Sequence, residues 1–249
     1  MNTTTNHIGI LIIGDEILSG RRQDKHLQKI IETLHPRGLQ LSWARYCGDD
    51  IENLTQQFIE IKQQGHLCFS FGGIGATVDD LTRQSIAKAH GLELKRNPEA
   101  TKEIETQFGS GAYPNRILMA DIPEGAEIIP NPYNRIPGFY LGNIYCLPGF
   151  PQMAWPMMEW ILNTKYQHLT RAIVVEHALT LQNVHESDLI ELLDLIQNEH
   201  PLVKIFCLPT LAKIGHSQIE LGVKGIEHEV NETMTALKNA LLEQGLTYS

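Results

Sequence analysis

Phe69-Ser-Phe-Gly-Gly-Ile-Gly-Ala-Thr-Val-Asp-Asp-Leu-Thr82 is the stretch whose reading decides the fold. Leu67, Cys68, Phe69 and Phe71 read as the apolar end of a buried strand. Gly72, Gly73 and Gly75 predict a turn that accepts positive φ and lets a ligand approach the backbone. A β-branched side chain at Gly73 is therefore expected to harm ligand binding more than folding. Thr77 is the expected cap of the next helix, with Asp79 and Asp80 in its first turn and Gly91 at its end. Strand, glycine turn and capped helix leave backbone N–H groups free at the helix start, which suits phosphate. The bland alternative is real. Glycines after a strand often only turn the chain, and the macrodipole alone favours Asp in a first turn. The stretch is neither a P-loop nor a complete dinucleotide fingerprint. Two carboxylates beside a phosphate repel it unless a cation or protons intervene, so a functional reading implies a metal-assisted phosphate site.

Working outward, residues 8–13 form a short continuous apolar run, the mark of a strand buried on both faces, followed by Gly14, Asp15 and Glu16. A loop over 17–22 leads to Asp24, which can start a helix carrying Leu27, Ile30, Ile31 and Leu34 at helical spacing. Residues 39–46 read as a second strand ending at Gly48-Asp49-Asp50, and Asp50 caps a helix closed by Gly65. Short connections between alternating strands and helices predict a three-layer α/β domain on a parallel sheet. In such a sheet the strand C-termini share one edge, where ligands bind. Asp15/Glu16, Asp49/Asp50 and the loop over 72–80 should therefore lie along one rim. Three acid pairs on one rim are harder to attribute to turn chemistry than one.

The middle is less regular. Residues 98–108 predict a helix and 115–120 a short one. Residues 123–132 and 136–141 look like a proline-broken hairpin, which gives the sheet a mixed edge. Residues 143–147 are another apolar strand, ended by Pro148-Gly149-Phe150-Pro151, a rigid turn that could add to the rim. An apolar helix over 152–162 follows, and its Trp and Met residues read as core packing. After about residue 163 the pattern restarts as β-α-β-β-α: a strand over 171–181, a helix over 186–198 capped by Ser187, strands over 203–208 and 218–224, and a helix over 226–244. The expected domains are an α/β domain over 6–165 and a small α+β accessory domain over 166–249.

Composition narrows the function classes. The 249 residues are 42% hydrophobic and 20% charged, which suits a folded chain of one large or two smaller domains. A net charge of −9 argues against general nucleic-acid binding and against an anionic membrane surface. Cys47, Cys68, Cys146 and Cys207 have no C-x-x-C spacing and read as reduced, mostly buried thiols. The apolar run at 8–13 is too short to span a bilayer and follows an uncharged polar leader, unlike a signal peptide. A cytoplasmic protein is expected.

Residues 13–20, Gly48-Asp49-Asp50, residues 72–82, Asn115-Arg116, residues 130–132, Pro137-Gly138-Phe139 and residues 148–151 together resemble the molybdopterin-binding (MoaB/Mog-type) domain family. The resemblance is closest to the N-terminal region of competence/damage-inducible protein A (CinA-like), strong over about 6–165 and weak beyond. It implies an α/β sandwich whose glycine loop and acids hold a phosphorylated pterin (molybdopterin) or a nucleotide. Relatives insert molybdenum through an adenylylated pterin with Mg²⁺, and CinA-like members have been assigned ADP-ribose pyrophosphatase activity. The sequence stops at Ser249, so the nicotinamide-nucleotide deamidase domain of longer members is expected to be absent, and its activity is not carried over. Ala76 stands where many relatives have proline, and Lys25-His26 replace small polar residues.

Two functions compete. As an enzyme, the chain would cleave or transfer at a phosphoanhydride with Mg²⁺ or another divalent ion held by Asp15, Asp49, Asp79 and Asp80, with Asp49 and Asp80 catalytic. Gly14, Asp15, Glu16, Gly72, Gly73, Gly75, Thr77, Asp79, Thr82, Arg116, Pro148 and Gly149 would bind the ligand, with Arg135 a further charge stabiliser. As a binding module, the same rim would hold pterin or nucleotide without turnover. The resemblance also implies an oligomer, expected here as a homodimer.

Overall fold

The computed structural model describes residues 7–169, 172–211 and 217–249. They divide into two compact units, one built from the chain up to Leu34 and Leu39–Leu169, the other from His35–Gly38 and the residues beyond 169.

The first unit holds a six-stranded sheet in the order β2-β1-β3-β8-β7-β6, with β1 Ile8–Ile13, β2 Leu41–Cys47, β3 Leu67–Phe71, β6 Glu127–Ile129, β7 Gly138–Leu141 and β8 Ile144–Leu147. The pairs β1–β2, β1–β3 and β3–β8 are parallel, whereas β7 runs antiparallel to β8 and β6 antiparallel to β7. Alternation along each buried strand feeds two cores. Ile8, Ile10, Ile12, Phe69, Phe71, Tyr145 and Leu147 meet helices α2 (His26–Leu34) and α6 (Pro151–Thr164) on one face. Leu11, Ile13, Cys68, Ile144 and Cys146 meet α3 (Ile51–Gln64) and α4 (Thr82–His90) on the other. The result is the predicted three-layer α/β domain with a mixed edge. The proline-flanked hairpin is that edge.

Caps act where their sequence signals stand. Asp24 accepts from the N–H groups of His26 at 2.8 Å and Leu27 at 3.1 Å, opening α2. Asp50 accepts from Asn53 N–H at 2.8 Å, and Gly65 closes α3 with φ 67°.

Several expectations need correction. Residues 17–22 are not all loop, because α1 spans Asp15–Leu18. A two-stranded ribbon of β4 (Leu94–Arg96) and β5 (Asp121–Pro123) brackets helix α5 (Pro98–Phe108); its strands are too short to show an alternating pattern. Helix α4 starts at Thr82, not after Thr77, so Asp79 and Asp80 precede it. Thr77 is drawn into a bond with Asp80 instead of capping a helix.

In the second unit, β9 (Val174–Gln182), β10 (Lys204–Leu211) and β11 (Ser217–Ile226) form an antiparallel sheet ordered β10-β11-β9. Helices α7 (Ile190–Glu199) and α8 (Glu227–Glu243) bury Leu192, Ile196, Val230, Leu237 and Leu241 with Leu181, Ile219 and Leu221. This is the small α+β unit the pattern predicts. Arg171, the expected start of its first strand, lies outside the described residues. His185, not Ser187, caps the short turn of 3-10 helix over Glu186–Asp188. Among the described residues no helix is long and apolar enough to cross a membrane.

Candidate functional site

The chain leaves β1 for one neighbour, β2, and returns on the other side of β1 as β3. Loops after β1 and β3 therefore diverge to opposite faces, and a crevice opens between them at the strand C-termini. A cavity of about 480 Å³ lies there.

Its floor is the loop after β3. Gly72 has φ 107°, and a side chain there would strike the Ile13 carbonyl oxygen, 2.4 Å from an ideal Cβ. Gly73 has φ 67°, and its Cβ would lie 2.4 Å from Thr82 Oγ1. Thr82 itself is fully buried beneath the loop. Its hydroxyl donates to Gly72 O at 2.8 Å and its N–H to Gly73 O at 2.9 Å. Arg83, 5% exposed, donates from Nη2 to Gly75 O at 2.7 Å. Three carbonyls are thus tied inward. In a trans peptide the N–H points opposite to the C=O, so the N–H groups of Gly73, Ile74 and Ala76 point away from those ties, toward the cavity that these residues line. Among the described residues no hydrogen bond uses the N–H of Gly73, Ile74, Gly75 or Ala76. The free donors anticipated at the helix start belong to this loop.

The acids follow β1 and β2 or close the loop. Glu16, Asp49, Asp79 and Asp80 line the cavity. Asp15 does not; its Oδ1 accepts the Asp49 N–H at 3.2 Å while its own N–H donates to Asp49 Oδ2 at 2.9 Å, a reciprocal clasp between the two rim turns. Burial pushes the Asp49 carboxyl above the ordinary range, opposed by the Asp15 N–H and reinforced by the charges of Asp15, Glu16 and Asp79. Asp80 Oδ2 accepts from Thr77 N–H at 2.9 Å and Thr77 Oγ1 at 2.5 Å, which closes the loop on itself. Among the described residues no three His, Cys, Asp or Glu side chains form a group able to hold a metal ion.

The remaining walls are Arg22, the turn Pro148–Phe150, Met119, Met153, and the segment with Asn131, Asn134 and Ile136. Asn131 is buried and saturated by its own segment, donating to Asn134 Oδ1 and Ile136 O at 2.8 Å each and accepting from Tyr133 N–H at 3.0 Å. His26, stacked on Phe71 at 4.3 Å, lies 3.1 Å through Nε2 from Gly149 O and so props the far wall. Burial lowers its pKa.

Gly14, Glu16, Gly72, Gly73, Gly75, Thr77, Asp79, Pro148 and Gly149 are brought together at the cavity as anticipated. Thr82 lies under the loop instead of facing a ligand. Arg116 is not brought there. It donates to Gly111 O at 2.7 Å and stacks 4.8 Å from the Phe108 ring centroid. Arg135 pairs with Glu103 at 2.9 Å, off this cavity. The cation that does line it, Arg22, stood unremarked in a loop because nothing local separates it from a solvated arginine. Arg83 carries no local signal either, and His26 shows in the sequence only as a departure from the small polar residue of relatives. Both sit at polar-looking positions of amphipathic helices, and only the tertiary fold shows what they support.

Comparison with known proteins agrees with this architecture. A CinA-like protein of Koribacter versatilis is 32% identical over 190 residues, covering 72% of this chain and 46% of the relative. One of Prochlorococcus marinus is 30% identical over 228 residues, covering 86% and 52%. The chain thus spans about half the length of the curated relatives it matches. The crystal structure of the protein CinA with unknown function from Thermoplasma acidophilum superposes with a TM-score of 0.58 at 27% identity, covering 66% of this chain and 99% of that one. A family model described as "Probable molybdopterin binding domain" matches residues 9–168, a span that contains every wall of the cavity. This chain belongs to the molybdopterin-binding domain family.

Proposed function

We propose that the rim cavity binds a small phosphorylated pterin or nucleotide, its phosphate on the N–H groups of residues 73–76 and beside Arg22. The observation that carries the reading is the set of loop N–H groups left without partners because Thr82 and Arg83 hold the loop carbonyls inward. Backbone donors that face a cavity take their partners from solvent or from a ligand, and a phosphate offers several acceptors to them at once. Met119, Ile136, Phe150 and Met153 supply apolar surface for a ring.

A divalent cation fits the donor set in one way. Hard ions take carboxylate oxygens, and Mg²⁺ commonly uses one or two carboxylates together with ligand phosphates. Asp49, whose carboxyl is pushed up by burial and then by neighbouring negative charge, and Asp79 would hold it, and it would neutralise the charge between acids and phosphate. A full protein cage is not needed for that role.

The raised Asp49 carboxyl favours a second reading, hydrolysis of a phosphoanhydride such as that of ADP-ribose, with Asp49 taking the proton of the attacking water. Asp80 is a poorer candidate for that role, since two donors of Thr77 hold its Oδ2 whereas Asp49 Oδ2 takes one, from the Asp15 N–H. Titration calorimetry with pyrophosphate, ADP-ribose and a pterin phosphate, each with and without Mg²⁺, tests the binding reading; no heat from any of them would sink it. Mg²⁺-dependent release of AMP from ADP-ribose separates the enzyme from the binding module. A cytoplasmic homodimer completes the reading, and light scattering on the eluted protein tests the dimer.

A further inference from the structure

We propose that Arg83 is a positioning residue of the anion loop: its buried guanidinium fixes the Gly75–Ala76 peptide with the N–H toward the cavity and places a positive charge directly behind it. The inference rests on the anion-binding reading above.

Arg83 is anchored by carbonyls, not carboxylates. Nη1 donates to Leu118 O at 2.5 Å and Asp121 O at 3.0 Å, and Nη2 donates to Gly75 O at 2.7 Å. Nε is buried and without a partner. The two nearby acids act on it only through space and are engaged elsewhere. Asp121 is paired with Arg96 at 2.5 Å, and Asp80 with Thr77. A buried guanidinium is expensive to desolvate, and arginines at such depth normally face a carboxylate. Here three carbonyl dipoles solvate the ion directly, and Asp80 and Asp121 offset its charge only through space. Burial draws its pKa down, yet an arginine keeps its proton throughout the working range.

The geometry gives that charge a direction. One end of the planar fork holds the segment from Leu118 to Asp121, the other holds Gly75 O, so the loop is pinned to a second element across the head of α4. Lysine cannot span both with one planar group. Because Gly75 C=O faces Arg83, the Ala76 N–H faces the opposite way. With Glu16, Asp49, Asp79 and Asp80 around the cavity against Arg22 alone among the described residues, a second fixed cation behind the donors makes the loop a better host for phosphate.

The test uses the full chain, inorganic pyrophosphate as probe, and the variants Arg83→Met and Arg83→Lys. Affinity is measured by calorimetry, folding by circular dichroism, and the Ala76 amide by ¹⁵N–¹H correlation spectra. Arg83→Met is expected to bind pyrophosphate about tenfold more weakly, with the Ala76 amide resonance moved in the free protein. Arg83→Lys should fall between it and the parent, retaining charge but losing part of the brace. A folded Arg83→Met with parental affinity and an unmoved Ala76 amide overturns the proposal. If Arg83→Met does not fold, Arg83→Lys decides in the same way, and parental affinity with an unmoved amide again overturns it. If the parent chain binds no pyrophosphate, the anion-binding reading fails and the charge role of Arg83 fails with it, whereas an Ala76 amide that still moves in the variants upholds the brace.

Discussion

A methyl group at Gly73 should damage the fold before it touches a ligand, and Thr82 should determine by how much. The sequence suggested that a side chain at Gly73 would obstruct the cavity. The geometry reverses this, because the Cβ direction leads into Thr82 Oγ1 at 2.4 Å, with Thr82 Cβ at 3.4 Å. Gly73→Ala therefore incurs two separate costs. Holding a non-glycine residue at φ 67° costs about 1–2 kcal/mol. Pushing Thr82 Oγ1 aside breaks its bond to the Gly72 carbonyl, and a buried unpaired carbonyl costs about 1–3 kcal/mol. The single variant should lose about 2–5 kcal/mol in all. Thr82→Ala loses the same hydrogen bond and a buried methyl of about 0.8 kcal/mol, but it also removes the clashing oxygen. In the double variant the hydrogen bond is lost once, not twice. The double variant should therefore be less destabilised than the sum of the singles by about 1–3 kcal/mol. Urea denaturation of the four proteins reads the cycle directly. Additivity to within about 0.5 kcal/mol would refute the reasoning, since it would mean that the methyl never meets Thr82.

His26 predicts a pH dependence. Its folded pKa lies below the usual 6.5, so the unfolded chain takes up the proton first, and the stability present above pH 6.5 is lost as pH falls. The slope contributed is at most about 1.4 kcal/mol per pH unit. Asn at position 26 should shallow the loss measured by urea melts between pH 7.5 and 5.5, and an unchanged slope would assign it to His66 and His90 instead, whose pKa values burial also lowers. Asp49 has the opposite sign to a salt-bridged acid. Its folded pKa is raised, so the charged form destabilises at neutral pH and stability grows as pH falls through that pKa. Asp49→Asn keeps an acceptor for the Asp15 N–H and should raise stability at pH 7 by roughly a few tenths of a kcal/mol after solvent screening, seen as a slightly higher Tm, while removing any AMP release from ADP-ribose; a lower Tm contradicts this. Asp80→Ala, which frees Thr77 N–H and Oγ1, should cost about 1–2 kcal/mol and speed amide exchange at Thr77, whereas Asp80→Asn should retain most of both.

What was legible in the sequence follows from the range of the forces involved. Ile8–Ile13 and Leu67–Phe71 announce doubly buried strands because a parallel sheet leaves them no solvent face. Asp24, Asp50 and Gly65 act within four residues of their own position, so their caps could be read directly. Parallel pairing alone then places Glu16, Asp49 and Gly72 on one rim. The start of α4 was misread because Thr77-Val78-Asp79-Asp80 satisfies two local rules at once. An N-cap pattern and a loop closed by Thr77–Asp80 look alike until Thr82 is pulled under Gly72 and Gly73. The roles of Arg22, Arg83 and His26 were beyond reach for a different reason. Their partners are the cavity itself, Gly75 O with Leu118 O, and Gly149 O, and no local spacing encodes a contact 123 residues away such as that of His26 with Gly149.

The order of the strands also orders the chemistry of the rim. Glu16 and Asp49 follow β1 and β2, the free N–H groups follow β3, the turn Pro148–Phe150 follows β8, and Asn134 and Ile136 precede β7. Along the sheet edge the sequence is therefore acid, donor, apolar. Asp79 and Asp80, at the far end of the glycine loop, are the exception that brings negative charge next to the donors. A ligand laid along this edge would set its ring against Phe150 and Ile136, its phosphate over residues 73–76, and any cation between that phosphate and Asp49. Reversing it would place a phosphate among carboxylates and a ring over unpaired N–H groups, unfavourable at both ends. Orientation is thus a consequence of strand order, and it can be read without turnover. Phe150→Ala should weaken an adenosine or pterin phosphate more than pyrophosphate, whereas Arg83→Met should weaken all three alike. If Phe150→Ala weakened pyrophosphate as much as the ring-bearing ligands, the ring would not lie on that wall, and the orientation argued from strand order would fail.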